Sequence, residues 1–259
     1  MAFIGAPFVW RHNGAGAKRL ARSFRTPAIG NFAQCPCGIS DLQPAKATLH
    51  TARMRQKGAP LPTIAQNTRH PDHPIDDLFY KRWSPRSFTE AALTEADVLT
   101  LIEAARWSPS ASNVQPWRFA YGLRGDAAFD RLADALGAGN RAWAHKAAAL
   151  ILIGSYKFRT TSAGDLVEHG THAFDAGAAW AHLALQAHLK GLVAHAMGGF
   201  DHAKARLAAG VAESIDLFCV VAVGVQGPVE TLPEPQQSRE TPSTRRPMAE
   251  ILGHGQMPE

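Results

Sequence analysis

Apolar and polar positions fall into regular patterns from about residue 72 onward. In LTEADVLTLIEAARW, Val98, Leu101, Ile102 and Ala105 recur at helical spacing and predict a helix over 95–107. Thr94, with Asp97 three residues on, resembles a capping box in which Asp stands for the usual Glu or Gln. Ser108-Pro109 ends that helix. RFAYGL (118–123) reads as a strand, and DAAFDRLADAL (126–136) as a helix burying Phe129, Leu132 and Ala133. AALILIGS (148–155) reads as a central strand, and the polar, Gly-bearing stretch 156–171 as a loop. DAGAAWAHLALQAHLK (175–190) predicts a long Ala-rich helix without a strong polar face, stopped by Gly191. A helix apolar on most sides is buried on most sides, which in a chain this small points to a helix held inside a dimer. LVAHAM (192–197) reads as a strand, DHAKARLAA (201–209) as a helix capped by Asp201, and DLFCVVAVG (216–224) as a last central strand. Helices and strands mix with few hairpin-length gaps, which predicts an α+β sandwich and not a βαβ alternation.

Composition changes this picture only at the beginning of the chain. Residues 1–60 hold nine Lys or Arg and one acid, Asp41, for a charge of +8; the other 199 residues hold 18 basic and 21 acidic groups, for −3. The expected division is a basic extension over 1–60 and one slightly acidic domain over 61–259. Three readings of the extension stay open: a translation start as late as Met54, a disordered tail, and an Arg-rich targeting segment. Its charges follow no nucleic-acid-binding motif, and no apolar run in the chain reaches 18 residues. Neither nucleic acid nor a membrane is therefore an expected partner. An odd set of cysteines without a framework (Cys35, Cys37, Cys219) implies a reducing compartment and a cytoplasmic location, with Cys219 as a small buried hydrophobe. His169 and His172 stand three apart, yet nothing completes a ligand set at matching spacing, so no metal is expected. NGAGAK (13–18) matches the dinucleotide fingerprint poorly and follows no strand.

Four polar stretches carry the candidate chemistry. They are Arg82-Trp83-Ser84-Pro85-Arg86, SPSASNVQPW (108–117), Met197-Gly198-Gly199-Phe200, and Arg245-Arg246 before Pro247. Taken singly, they read as a solvated face, a turn with a packing Trp, a strand-to-helix turn and surface charge. In order and spacing, over roughly residues 74–252, they resemble the FMN-dependent nitroreductase family. RWSPRSF (82–88) is similar to its Arg-x-Ser-x-Arg/Lys-x-Phe segment, and 108–117 matches its Ser-Pro-Ser-x-x-Asn-x-Gln-Pro-Trp segment almost letter for letter. Trp83 stands where the family commonly has Arg or His.

The resemblance implies a nitroreductase-like α+β sandwich: a central, mostly antiparallel sheet flanked by helices, with the long buried helix at a homodimer interface that holds FMN. It implies Arg82 and Arg245 on the phosphate, with Arg246 as the second candidate at the late position, and Ser84 bonded to the cofactor. Trp83 contributes through its backbone, and Arg86 supplies the cation at the N1–C2=O edge, where reduced flavin is anionic. Pro109, Ser110, Ser112 and Asn113 serve the flavin of the opposite subunit, with Asn113 on the pyrimidine edge. Met197, Gly198 and Gly199 approach the ring, the first glycine offering its N–H to N5. Trp117 packs and Gln115 braces the loop, while His195 is read either as a wall of the substrate pocket or as a core or surface residue. The implied activity is ping-pong hydride transfer from NADH or NADPH through flavin N5 to a nitroaromatic, quinone or enone, with no side-chain catalyst. A non-enzymatic flavin-binding or sensing protein is the alternative. The short 156–171 stretch implies a small cover over an open pocket.

Overall fold

The computed structural model describes residues 64–259; the basic extension over 1–60, the Met54 start and Cys35/Cys37 lie outside the described residues. The described chain runs through α1 (Asp77–Lys81), α2 (Glu95–Arg106), β1 (Trp117–Leu123), α3 (Ala127–Ala135), α4 (Ala138–Ala144) and β2 (Ala149–Tyr156). It continues through β3 (Phe158–Thr160), β4 (Leu166–Glu168), α5 (His172–Leu189), β5 (Val193–Met197), α6 (His202–Ala209), β6 (Ile215–Gly224) and α7 (Glu234–Gln237).

Four strands form one sheet in the order β1-β2-β6-β5, and every pairing is antiparallel. β2 and β6 are central, and β2 is buried from Ala149 to Ser155, which explains its unbroken apolar run. Alternation along the strands feeds two cores. Leu150, Leu152, Val220 and Ala222 pack with α3, α4 and α6 through Phe129, Leu132, Trp143 and Ala205. Ala149, Ile151, Ile153, Val221 and Val223 face the other way, onto Val98, Leu101 and Ala105 of α2 and Ala179, Leu183 and Ala187 of α5. The sheet is thus the middle layer of a sandwich. Gly122 lets β1 press onto α3, where a Cβ would meet the Phe129 nitrogen at 2.1 Å. The Thr94–Asp97 capping box forms, with both reciprocal hydrogen bonds made.

The structure departs from the sequence reading in three places. The stretch 156–171 is not only loop: β3 and β4 pair as a hairpin, Phe158 opposite Glu168, with Gly164 in the left-handed region at its turn. Six strand residues are too few to show a period. α4 was not expected, because AGNRAWA carries Gly and Asn and has only Trp143 and Ala144 buried. The long helix α5 starts at His172, and within one chain it is buried on one side only. Ala173, Phe174, Gly177, Ala181 and Leu189 lie open on its other side.

Candidate functional site

Burial alternates along the segment that follows α1. Trp83, Pro85 and Ser87 point inward, while Arg82, Ser84 and Arg86 share the half-exposed side. One side of a short extended stretch therefore offers two guanidinium groups and a hydroxyl, with Arg82 Nη1 3.4 Å from Ser84 Oγ.

The inward side is fastened by a residue from far along the chain. Glu240 is buried, and its Oε1 accepts hydrogen bonds from Arg86 N (2.7 Å), Ser87 N (2.8 Å) and Ser87 Oγ (2.8 Å). Its Oε2 makes no hydrogen bond and lies 3.9 Å from Arg86 Nη1. Burial lowers the Arg86 pKa, the Glu240 carboxylate opposes that, and Arg239 adds to it. From the other flank, His195 Nδ1 lies 3.1 Å from the Pro85 carbonyl, and its ring sits 4.8 Å from that of Trp143. A carbonyl only accepts, so Nδ1 carries the proton and Nε2 is left as the acceptor. Burial, with Arg86 contributing, pushes the His195 pKa down.

Arg82 faces further cations. Burial and then Arg245 lower its pKa; burial, Arg245 and Arg82, in that order, lower that of Arg69. Among the described residues, none of Arg69, Arg82 and Arg245 takes part in an ion pair. Arg246 is apart from this group, exposed and 3.4 Å from Glu250 Oε2. Three guanidinium groups with no carboxylate among them form a donor set suited to a phosphate dianion.

SPSASNVQPW is built differently. Ser112, Asn113 and Gln115 all have positive φ (51°, 53° and 54°), an uncommon conformation for residues with a Cβ. Ser110 Oγ accepts from Gln115 N (3.0 Å), and Gln115 Nε2 donates to the Asn113 carbonyl (3.2 Å), so Gln115 braces the loop. Asp175, buried in the first turn of α5, accepts from Ala111 N at 3.3 Å and pairs with buried His169 at 3.1 Å. Trp117 packs in the core. Pro109, Ser112 and Asn113 stay exposed, and Ser110 half-exposed.

The two stretches are not brought together within the chain. The loop hangs on Asp175 at one end of α5, while Arg82 is among the charges that, after burial, depress the pKa of His188 near the other end. Those two positions are thirteen residues apart on the helix, roughly 20 Å along its axis.

The middle of β5 is joined to the arginine segment by His195. Met197 is buried, and Gly198 and Gly199 are exposed. The Gly199 carbonyl accepts from Gly137 N (3.1 Å) and Asn140 Nδ2 (3.0 Å), and a Cβ there would meet that Nδ2 at 3.0 Å. A Cβ on Gly198 would meet nothing within 4 Å, so Gly198 is the glycine that faces open space. His169 and His172 have protein partners: Asp175 for the first, and for the second Ser155 Oγ at 2.6 Å. Among the described residues no three His, Cys, Asp or Glu side chains are grouped to hold a metal, and no helix is long and apolar enough to cross a membrane.

Sequence reasoning missed Glu240, Asp175 and Arg69. Glu240 sits in a Pro-rich stretch with no period, and its partners are over 150 positions away. Asp175 carried one signal, an acid in the first turn of a helix.

The comparisons agree with this architecture. The Nitroreductase family profile matches residues 80–142. A solved oxidoreductase containing FMN is 36% identical, with a TM-score of 0.71 over 75% of this chain and 98% of that one. A Desulfovibrio desulfuricans protein solved in complex with FMN shares the fold at 24% identity and a TM-score of 0.56, over 73% of this chain and all of that one. An uncharacterized 15.4 kDa protein of Mycolicibacterium smegmatis is 37% identical over 133 residues, 48% of this chain and 85% of its own. The chain belongs to the nitroreductase family.

Proposed function

We propose that this protein is an FMN-dependent oxidoreductase that works as a homodimer. The observation that carries the reading is the arginine group of Arg69, Arg82 and Arg245, drawn together by shared bonds to Ser243 and the Arg82 carbonyl without any paired acid among the described residues. Arg82, Arg245 and Ser84 hold the phosphate, and Trp83 lines the site through its backbone. Arg246, turned to Glu250, is a peripheral charge at the same end. Arg86, held by the Arg239 carbonyl and Glu240, would supply the fixed cation for the N1–C2=O edge, which favours the reduced flavin. Met197 backs Gly198, which leaves room for a ring to approach the backbone, while Gly199 is tied to Gly137 and Asn140. His195 forms the pocket wall and anchors Pro85.

Pro109, Ser110, Ser112 and Asn113 lie at the far end of α5 from Arg82, so one chain does not complete the site. The open apolar side of α5 is the surface on which a second copy packs, bringing its loop to the first chain's arginines. When bound, FMN supplies a two-electron carrier between NADH or NADPH and a nitroaromatic, quinone or enone acceptor. The chain's own residues bind, orient and charge-stabilise it. The free Cys219, whose thiol burial pushes up to about 12, suits a reducing cytoplasm.

Purified protein should be yellow, lose its colour anaerobically with NADH or NADPH, and regain it with a quinone or nitroaromatic. Colour that no nicotinamide removes would leave a flavin-binding protein without this activity. Protein that takes up no FMN would end the proposal. The shared site has its own test. An Arg82→Ala chain co-assembled with an Asn113→Ala chain should recover one intact site per dimer. A site contained within each chain would recover none.

A further inference from the structure

Arg69 lies before the 80–142 stretch that the family profile matches, and none of the four family-like segments includes it. Its guanidinium is nonetheless more heavily bonded than that of Arg82 or Arg245. Nε donates to the Ser243 carbonyl (2.7 Å), Nη1 to the carbonyls of Arg82 (2.9 Å) and Tyr80 (3.4 Å), and Nη2 to Ser243 Oγ (3.3 Å). The same Ser243 carbonyl and hydroxyl accept from Arg245 Nη1, at 3.4 and 3.3 Å. Asn67 fixes the approach, donating to the Tyr80 carbonyl (2.7 Å) and accepting from Arg69 N (3.0 Å). One planar fork therefore ties the segment bearing Arg82 to the segment bearing Arg245, two pieces of chain more than 160 positions apart. A fork with five donors in fixed directions can span such a set of carbonyls; a lysine ammonium cannot.

Three like charges meet here without a balancing acid. Arg69 brings a third positive charge to a place where two already repel, and no acid among the described residues pairs with any of the three. A structural brace needs the donors of the fork but not its charge.

We propose that Arg69 is a positioning residue of the anion site, holding Arg82 and Arg245 in register and adding the charge that makes the site select phosphorylated over unphosphorylated flavin. This rests on the phosphate assignment made above and extends it to a residue that contacts the ligand's binding groups, leaving one N–H of its own uncommitted.

The test compares affinities for FMN and for riboflavin, which lacks the phosphate, by flavin fluorescence quenching on the full-length protein. Arg69→Gln should weaken FMN binding about tenfold while changing riboflavin binding by less than about twofold, so the preference for FMN collapses. Arg69→Lys, which keeps the charge and loses the fork, should fall between Arg69→Gln and wild type; it also carries the test if Arg69→Gln does not fold. Equal loss for both flavins would mean a purely structural role, and an unchanged preference in both variants would mean none; either overturns the proposal. Arg82→Ala separates the two levels. If Arg82→Ala abolishes the preference and the Arg69 variants do not, only Arg69's role is wrong. If wild type shows no preference, or Arg82→Ala keeps it, the phosphate assignment fails and this inference with it.

Discussion

The arginine segment at 82–86 and the serine–asparagine loop at 108–117 are both polar stretches that follow a helix, yet they are held in opposite ways. The first is fastened from several sides: Glu240 bonds two consecutive backbone N–H groups, His195 takes the Pro85 carbonyl, and Arg69 takes the Arg82 carbonyl. Its φ values stay outside the left-handed region. The second holds three non-glycine residues at positive φ, and it is anchored to the rest of the fold through Asp175, the Pro116 carbonyl bonded by Tyr156 N (2.9 Å) and the buried Trp117. Cations that must converge on one anion repel one another, so their backbone needs strong fastening. Small polar groups presented outward need a fixed shape, which local strain supplies at a modest cost.

This contrast can be broken experimentally. The largest effect is expected at Arg82: Arg82→Ala should lower FMN retention through gel filtration at least tenfold, whereas Asn113→Ala should lower it less. Equal losses would mean the two stretches are energetically alike. Next, Glu240→Ala strands two backbone donors and a hydroxyl in the interior and should cost about 3 kcal/mol in urea unfolding. Asp175→Ala removes the acceptor of a single backbone donor and a histidine partner, and should cost about 2 kcal/mol. A reversed order would show that the loop is the more firmly held stretch.

Replacing Asn113 with Gly should act in the other direction. Relief of a left-handed Cβ should stabilise the fold by about 1 kcal/mol while weakening flavin retention. A loss of stability would mean that the loop is not strained. The smallest effect belongs to His195. Its pKa in the folded protein lies below the ordinary 6.5, chiefly because it is buried, so the unfolded chain binds the proton more tightly. Stability should therefore decline as pH falls through about 6.5 and level off below the folded pKa, and His195→Gln should flatten that decline. An unchanged pH profile in His195→Gln would assign the dependence to other groups.

Much of the layout was legible because it rests on local pattern. The α2 helix showed its capping box and its Val98–Leu101–Ala105 face, and β2 showed its unbroken apolar run. The family resemblance picked out Arg82, Ser84 and Arg86, and the structure puts all three on the half-exposed side of one extended stretch. What fastens these groups was not legible. Glu240 and Arg69 act through backbone atoms of distant residues, and a backbone acceptor leaves no mark on the sequence that supplies it. The β3–β4 hairpin was hidden by its shortness, while the apolar surround of α5 was legible and only its division between core and open side was not.

The Glu240 tie also fixes an order of events in the making of the protein. Ser87 and the Arg86 amide leave the ribosome more than 150 residues ahead of the carboxylate that they bond. At the usual pace of synthesis that interval lasts on the order of ten seconds or more. Until then the amides of Arg86 and Ser87 have only water to bond. The binding site is thus among the last parts of the domain to set, and the capture of any ligand there follows the emergence of residues 240–245.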